Sequence, residues 1–111
     1  DIHPLNNLRV RLYLVDEMDV TEDKRKVWIK HWIHLGFQAY EKILLSDDVK
    51  GPYSHGEWPT MADVCLIPQI ANARLNKVDL SDFSLILRIE EACQSHPAFE
   101  KALPSNQPDA A

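Results

Sequence analysis

A chain of 111 residues is one domain's worth of sequence, and hydrophobic residues at 45% let it bury a core instead of staying disordered. Three glycines are too few for a sheet-rich fold, which turns about every 8–12 residues, so the composition favours an all-α domain. A formal charge of −5, from 17 acidic and 12 basic side chains, repels phosphate backbones and argues against nucleic-acid binding.

The first apolar pattern runs from Pro4 to about Met18, with Leu5, Leu8, Leu12 and Val15 at helical spacing. Pro4 either opens this helix or kinks one that started earlier; the kink is the preferred reading, because Asp1 is the only start signal before it. Thr21 then caps a long helix to about Leu45. Its stripe reads Ile29, Trp32, Ile33, Gly36, Phe37, Tyr40, Ile43 and Leu44. Gly36 costs about 1 kcal/mol relative to alanine in a helix, which suggests that a neighbouring helix passes close to it. Lys24, Arg25 and Lys26, the densest basic group, read as a solvated helix face.

Residues 46–58 form the one clear loop, broken by Gly51, Pro52 and Gly56. Thr60 follows as an N-cap, with Asp63 placed to bond back to the Thr60 N–H as in a capping box. The helix from Met61 to about Asn76 is apolar almost all round, which suits a central buried helix, with Pro68 kinking it. An amphipathic helix spans about Ser84 to Gln94, His96-Pro97 starts a short turn, and a polar tail runs over the surface. The pattern gives an all-α domain of about five helices around one buried helix.

Cys65 and Cys93 fit no zinc or redox spacing, and their apolar neighbours predict two buried thiols in a reducing compartment. No apolar run approaches about 18 residues and nothing at the start resembles a signal peptide, so a soluble, cytoplasmic protein is expected. His31 and His34 share a helix face, but no third ligand stands at matching spacing, and no metal site is assigned. Ser54-His55-Gly56 has nothing nearby in sequence to orient the imidazole.

Asn6 and Asn7 stand where a helix prefers almost any other residue. His3 and Asn7 share a face, and Arg9 and Arg11 follow within a turn; such donors suit a ligand with carboxylates, which guanidinium groups grip in bidentate fashion. Equally, Asn6 or Asn7 can simply cap a helix starting at Leu8. Arg74 is a second guanidinium in an otherwise apolar region, a place where arginines commonly snorkel to the surface. These residues alone name no reaction.

A resemblance does. The stretch from Asp1 to Arg9, DIHPLNNLR, resembles the signature in the fourth helix of bacterial maleylacetoacetate and maleylpyruvate isomerases. Thr60-Met61-Ala62-Asp63 resembles the capping box found across glutathione transferases, and the run from Ala62 to Arg74 is similar to the zeta-class version of that helix. Val78-Asp79-Leu80 and Gln107-Pro108-Asp109 match as well, so the likeness covers essentially the whole chain. It implies a glutathione-transferase C-terminal-like helical domain, residues 1–111, of a homodimeric enzyme. A thioredoxin-like N-terminal domain, outside this sequence, would hold most of the glutathione and all the catalytic residues. On that reading the chain is a fragment or trimmed domain without isomerase activity of its own.

The implied reaction is cis–trans isomerisation of a small dicarboxylate, in which glutathione gives covalent catalysis and is not consumed. His3, Asn7, Leu8 and Arg9 match family positions lining the glutathione and substrate cleft, with Arg9 for a substrate carboxylate. One departure stands out. Many relatives carry an arginine at the position of Leu75, whereas here it sits at Arg74, turned by about 100° around the helix. Arg74 is expected to reach the cleft mouth nonetheless. Two other readings remain open: a transferase that conjugates electrophiles or dehalogenates haloacids, and a non-catalytic interaction module.

Overall fold

The computed structural model describes residues 2–110. Six α-helices follow one another: α1 Ile2–Asn6, α2 Leu8–Asp16, α3 Glu22–Ser46, α4 Met61–Leu75, α5 Ser84–Gln94 and α6 Pro97–Lys101, with a single 3-10 turn at Pro104–Asn106. No strand occurs among the described residues; Tyr53 and Gly56 meet only in an isolated bridge.

The long α3 forms because Thr21 accepts a bond from the Lys24 N–H at 3.4 Å and Glu22 and Asp23 sit at the positive end of the helix dipole. Ile29, Ile33, Phe37 and Leu44 bury one stripe of it. Ile43, expected in that stripe, is exposed. Phe83 meets Phe37 edge-on at 5.7 Å, and Ile70, Ala73, Ile86, Ile89 and Cys93 complete the centre of the core. Each fully buried Ile or Phe contributes about 1.5–3 kcal/mol.

The expected kinked first helix is instead two helices broken at Asn7. Asn7 Oδ1 accepts from the Arg9 N–H at 3.1 Å and caps α2. Asn6 is drawn inward, its Nδ2 donating to the Ile29 carbonyl of α3 at 3.4 Å. Cap and tertiary bond together stop the helix at this point. Pro4 stands in the first turn of α1, where a missing N–H costs nothing. The start signal attributed to Asp1 lies outside the described residues. Close approach at Gly36 is confirmed: a Cβ there would overlap the side chain of Ile2, so α1 lies directly on α3.

Asp63 is fully buried and organises the start of α4. Its carboxylate accepts from the Thr60 N–H at 2.7 Å, the Thr60 hydroxyl at 3.0 Å and the Ser54 N–H at 2.8 Å. The capping box thus also fastens the preceding loop. Leu66, Ile70 and Ala73 bury one face of α4. Its opposite face, although equally apolar in sequence, carries exposed Met61, Val64, Cys65 and Leu75. The expectation of two buried thiols therefore fails for Cys65, because an all-apolar helix does not say which side its neighbours cover.

At its far end α4 closes with paired bonds, Val78 N–H to the Ala73 carbonyl and Lys77 N–H to the Arg74 carbonyl, both 3.0 Å. Lys77 takes the left-handed position of that motif at φ 54°, where glycine is usual and a side chain costs roughly 1–2 kcal/mol.

Candidate functional site

The α1–α3–α4 junction leaves an open groove of about 560 Å³. Ile2 and His3 of α1, Trp32 and Tyr40 of α3, and Cys65 and Gln69 of α4 line it. Its walls are mostly apolar, and the polar groups in it are few. The Gln69 Nε2 is buried with no partner, so the groove holds an unspent donor. Tyr40 is already committed: its hydroxyl donates to Ser54 Oγ at 2.7 Å, and burial raises its pKa, keeping it a neutral phenol.

His3 is the one sequence-selected residue that lines this groove. Asn7, Leu8 and Arg9 follow at the break between α1 and α2, in the first turn of α2. The Asn7 side chain is used by the cap, Leu8 is 63% exposed, and Arg9 is exposed with no ion pair among the described residues. The Arg9, Val10 and Arg11 N–H groups of this turn are already bonded to Asn7, so the exposed Arg9 guanidinium is the group that favours a carboxylate.

Arg74 is elsewhere. It stands in the last turn of α4 and pairs in bidentate fashion with Glu90 of α5, Nε–Oε1 3.1 Å and Nη2–Oε2 2.5 Å. The Glu90 side chain is only 13% exposed, and its hydrogen bond and charge raise the Arg74 pKa further. Arg74 is not among the residues lining the groove. Glu90 and Gln69 escaped the sequence reading. The i, i+4 step from Cys65 to Gln69, which sets both on one face of α4, was the available signal for the second.

The other histidines have neighbours of their own. His31 lies edge-on to Trp32 and His34 tilts against Phe83. Among the described residues no three His, Cys, Asp or Glu side chains come together as a metal site. His55 does have an orienting partner, contrary to the sequence reading: Nδ1 lies 2.6 Å from Asp47 Oδ2. That bond and the Val49 N–H hold the Asp47 carboxyl below its usual value. Ser54 is not a nucleophile for this pair, since it is buried and bonded to Tyr40.

Six helices in this order, with the capped α4, match the helical domain of solved glutathione transferases, among them a zeta-class one. A solved maleylpyruvate isomerase, described as a bacterial glutathione-S-transferase in Zeta class, superposes with a TM-score of 0.94 at 43% identity, over 100% of this chain and 52% of that one. The maleylacetoacetate isomerase of Anaeromyxobacter dehalogenans, solved with bound dicarboxyethyl glutathione and citrate, gives 0.87 at 34% identity, over 97% of this chain and 47% of that one.

Among curated proteins, the chain is 43% identical over 111 residues to the maleylpyruvate isomerase of Ralstonia sp, covering 100% of this chain and 52% of that protein. It is 47% identical over 108 residues to probable maleylacetoacetate isomerase 2 of Drosophila melanogaster, covering 97% and 44%. No protein-family model matches. The chain is thus homologous along its whole length to these isomerases, spans about half the length of the curated relatives it matches, and aligns with their C-terminal part.

Proposed function

We propose that this chain is the C-terminal domain of a glutathione-dependent cis–trans isomerase of maleylacetoacetate or maleylpyruvate, acting in aromatic catabolism. Similarity along the whole chain to isomerases of that kind carries the reading. A thioredoxin-like domain preceding this one completes the enzyme, which works as a homodimer in the cytoplasm. Among the described residues no helix is long and apolar enough to cross a membrane, which agrees with that location.

Glutathione supplies the thiol chemistry of the reaction when bound. The residues here fit such a tripeptide with free carboxylates: the Arg9 guanidinium, which has no ion pair among the described residues, and an imidazole at His3. Arg9 holds a carboxylate of the dicarboxylate substrate, Leu8 gives an apolar wall, and His3 and the Asn7 turn orient the ligands. Fixing both carboxylated partners at one helix break aligns the reacting atoms before any bond changes. Arg74 joins them only by leaving Glu90.

The test is loss of maleylacetone absorbance by the complete polypeptide. Decay to the trans product with glutathione, and none without it, is the expected result. A folded, dimeric protein that shows no decay overturns the reading and favours a conjugating transferase or a binding module.

A further inference from the structure

Asn7 takes an extended backbone, ψ 148°, and breaks the helix between α1 and α2. In an unbroken helix the Arg9 N–H would bond to the Leu5 carbonyl one turn back; here it goes to Asn7 Oδ1 instead. The freed Leu5 carbonyl is taken from outside, accepting from the Trp28 Nε1–H of α3 at 3.1 Å. The Ile29 carbonyl, next along α3, accepts from Asn6 Nδ2 at 3.4 Å. Two adjacent residues of α3 therefore grip the last turn of α1. About two turns further along α3, Gly36 receives Ile2 at the other end of α1.

Stability alone does not account for this grip. Asn6 is 7% exposed, and its Oδ1 is buried without a partner. An orphaned buried acceptor destabilises a fold, so packing is not what calls for an asparagine here. Local rules broken in this way concentrate at functional sites. What the break controls is direction. Six residues along a continuous helix would turn Arg9 about 120° away from His3 around the axis. The extended Asn7 replaces that fixed angle with one set by how α3 holds α1.

We propose that Trp28 and Asn6 are positioning residues for the isomerase site: they hold the α1–α2 break against α3 and so set where Arg9 stands relative to His3. Neither lines the groove; both act through Arg9, and the role rests on the isomerase reading.

Two variants of the complete polypeptide test this. Trp28→Phe keeps a ring beside Trp32, 5.6 Å away, and loses only the N–H donor. Asn6→Ala loses the amide together with its orphaned oxygen, so its melting temperature should stay within about 3 °C of wild type. Each should raise KM for maleylacetone roughly five- to tenfold, with kcat changed less than about twofold, as for a displaced binding group. In an Arg9→Ala background neither should raise KM further, because the group being positioned is gone. Increases that persist in that background, or wild-type KM in both variants, would overturn the role and leave the isomerase reading intact. A wild-type enzyme without glutathione-dependent decay overturns the isomerase reading, and this role with it.

Discussion

Burial by itself pushes the Asp63 carboxyl up, but the bonds from Ser54 and Thr60 together outweigh it and hold the pKa below its ordinary 3.8. A folded-state pKa lowered in this way stabilises the fold fully above the unfolded value and loses that contribution as pH falls through the folded one. Asp63→Ala removes a cap and strands the buried N–H of Ser54 and the half-buried N–H of Thr60, so about 2–4 kcal/mol of stability should go. Urea melts between neutral pH and pH 2.5 check both parts: the variant should be weaker at neutral pH and flatter in acid. The two thiols make a second test. Cys93 is buried, and burial first, then the Asp63 charge, lifts its pKa to about 11, whereas Cys65 is exposed. The native 111-residue chain should take one iodoacetamide adduct at pH 8, on Cys65, and two only after unfolding; prompt modification of Cys93 would contradict the core described. Thr60, Asp63 and Gly36 were readable in the sequence because their signals are local. The exposure of Cys65 was not, since it depends on where the rest of the chain lies.

At the scale of elements, α5 begins without a cap of its own: Phe83 offers no side-chain acceptor. Glu41 of α3 takes that part, its Oε1 accepting from the Leu85 N–H at 2.8 Å and its Oε2 from the Ile86 N–H at 3.1 Å. A carboxylate on the N-terminal amides also meets the positive end of the helix dipole. Glu41→Ala should cost about 1–2 kcal/mol, and Glu41→Gln less because an amide oxygen can still accept. Hydrogen exchange at the Leu85 and Ile86 amides should accelerate in the alanine variant before the rest of α5 does; unchanged protection would mean the bonds carry no weight. Such a cap is invisible in sequence, because donor and acceptor stand 44 and 45 residues apart. The helix limits themselves were legible for α3 and α4, where caps and periodicity agree, and for α5 from its periodicity and the His96-Pro97 stop. The α1–α2 break was not. Kink and cap were both consistent with the residues, and the bond from Asn6 to the Ile29 carbonyl of a distant helix decides between them.

For the whole molecule, the two candidate arginines make opposite demands on the same experiment. Among the described residues Arg9 has no ion-pair partner, so under the proposed function a substrate carboxylate would be its main partner. Arg9→Ala should then raise KM for a dicarboxylate roughly 10- to 100-fold, the loss of a charge-assisted hydrogen bond, with far less effect on stability. Arg74 is tied to a Glu90 that is nearly buried, and its replacement leaves that carboxylate uncompensated. Arg74→Ala should therefore act mainly on folding, by about 1–3 kcal/mol, while KM changes less than about fivefold. Adding Glu90→Gln to Arg74→Ala removes the stranded charge and should return part of the lost stability, which a catalytic arginine would not show. The resemblance put Arg9 in the cleft and marked Arg74 as a departure, turned by about 100° around the helix from the position of Leu75, with its reach to the cleft mouth an expectation; in the structure Arg74 pairs with Glu90 across α4 and α5. Steady-state kinetics and thermal melts of the three variants decide it. A large KM rise for Arg74→Ala with unchanged melting would mean that the guanidinium leaves Glu90 for the substrate, and that the cleft extends to the end of α4.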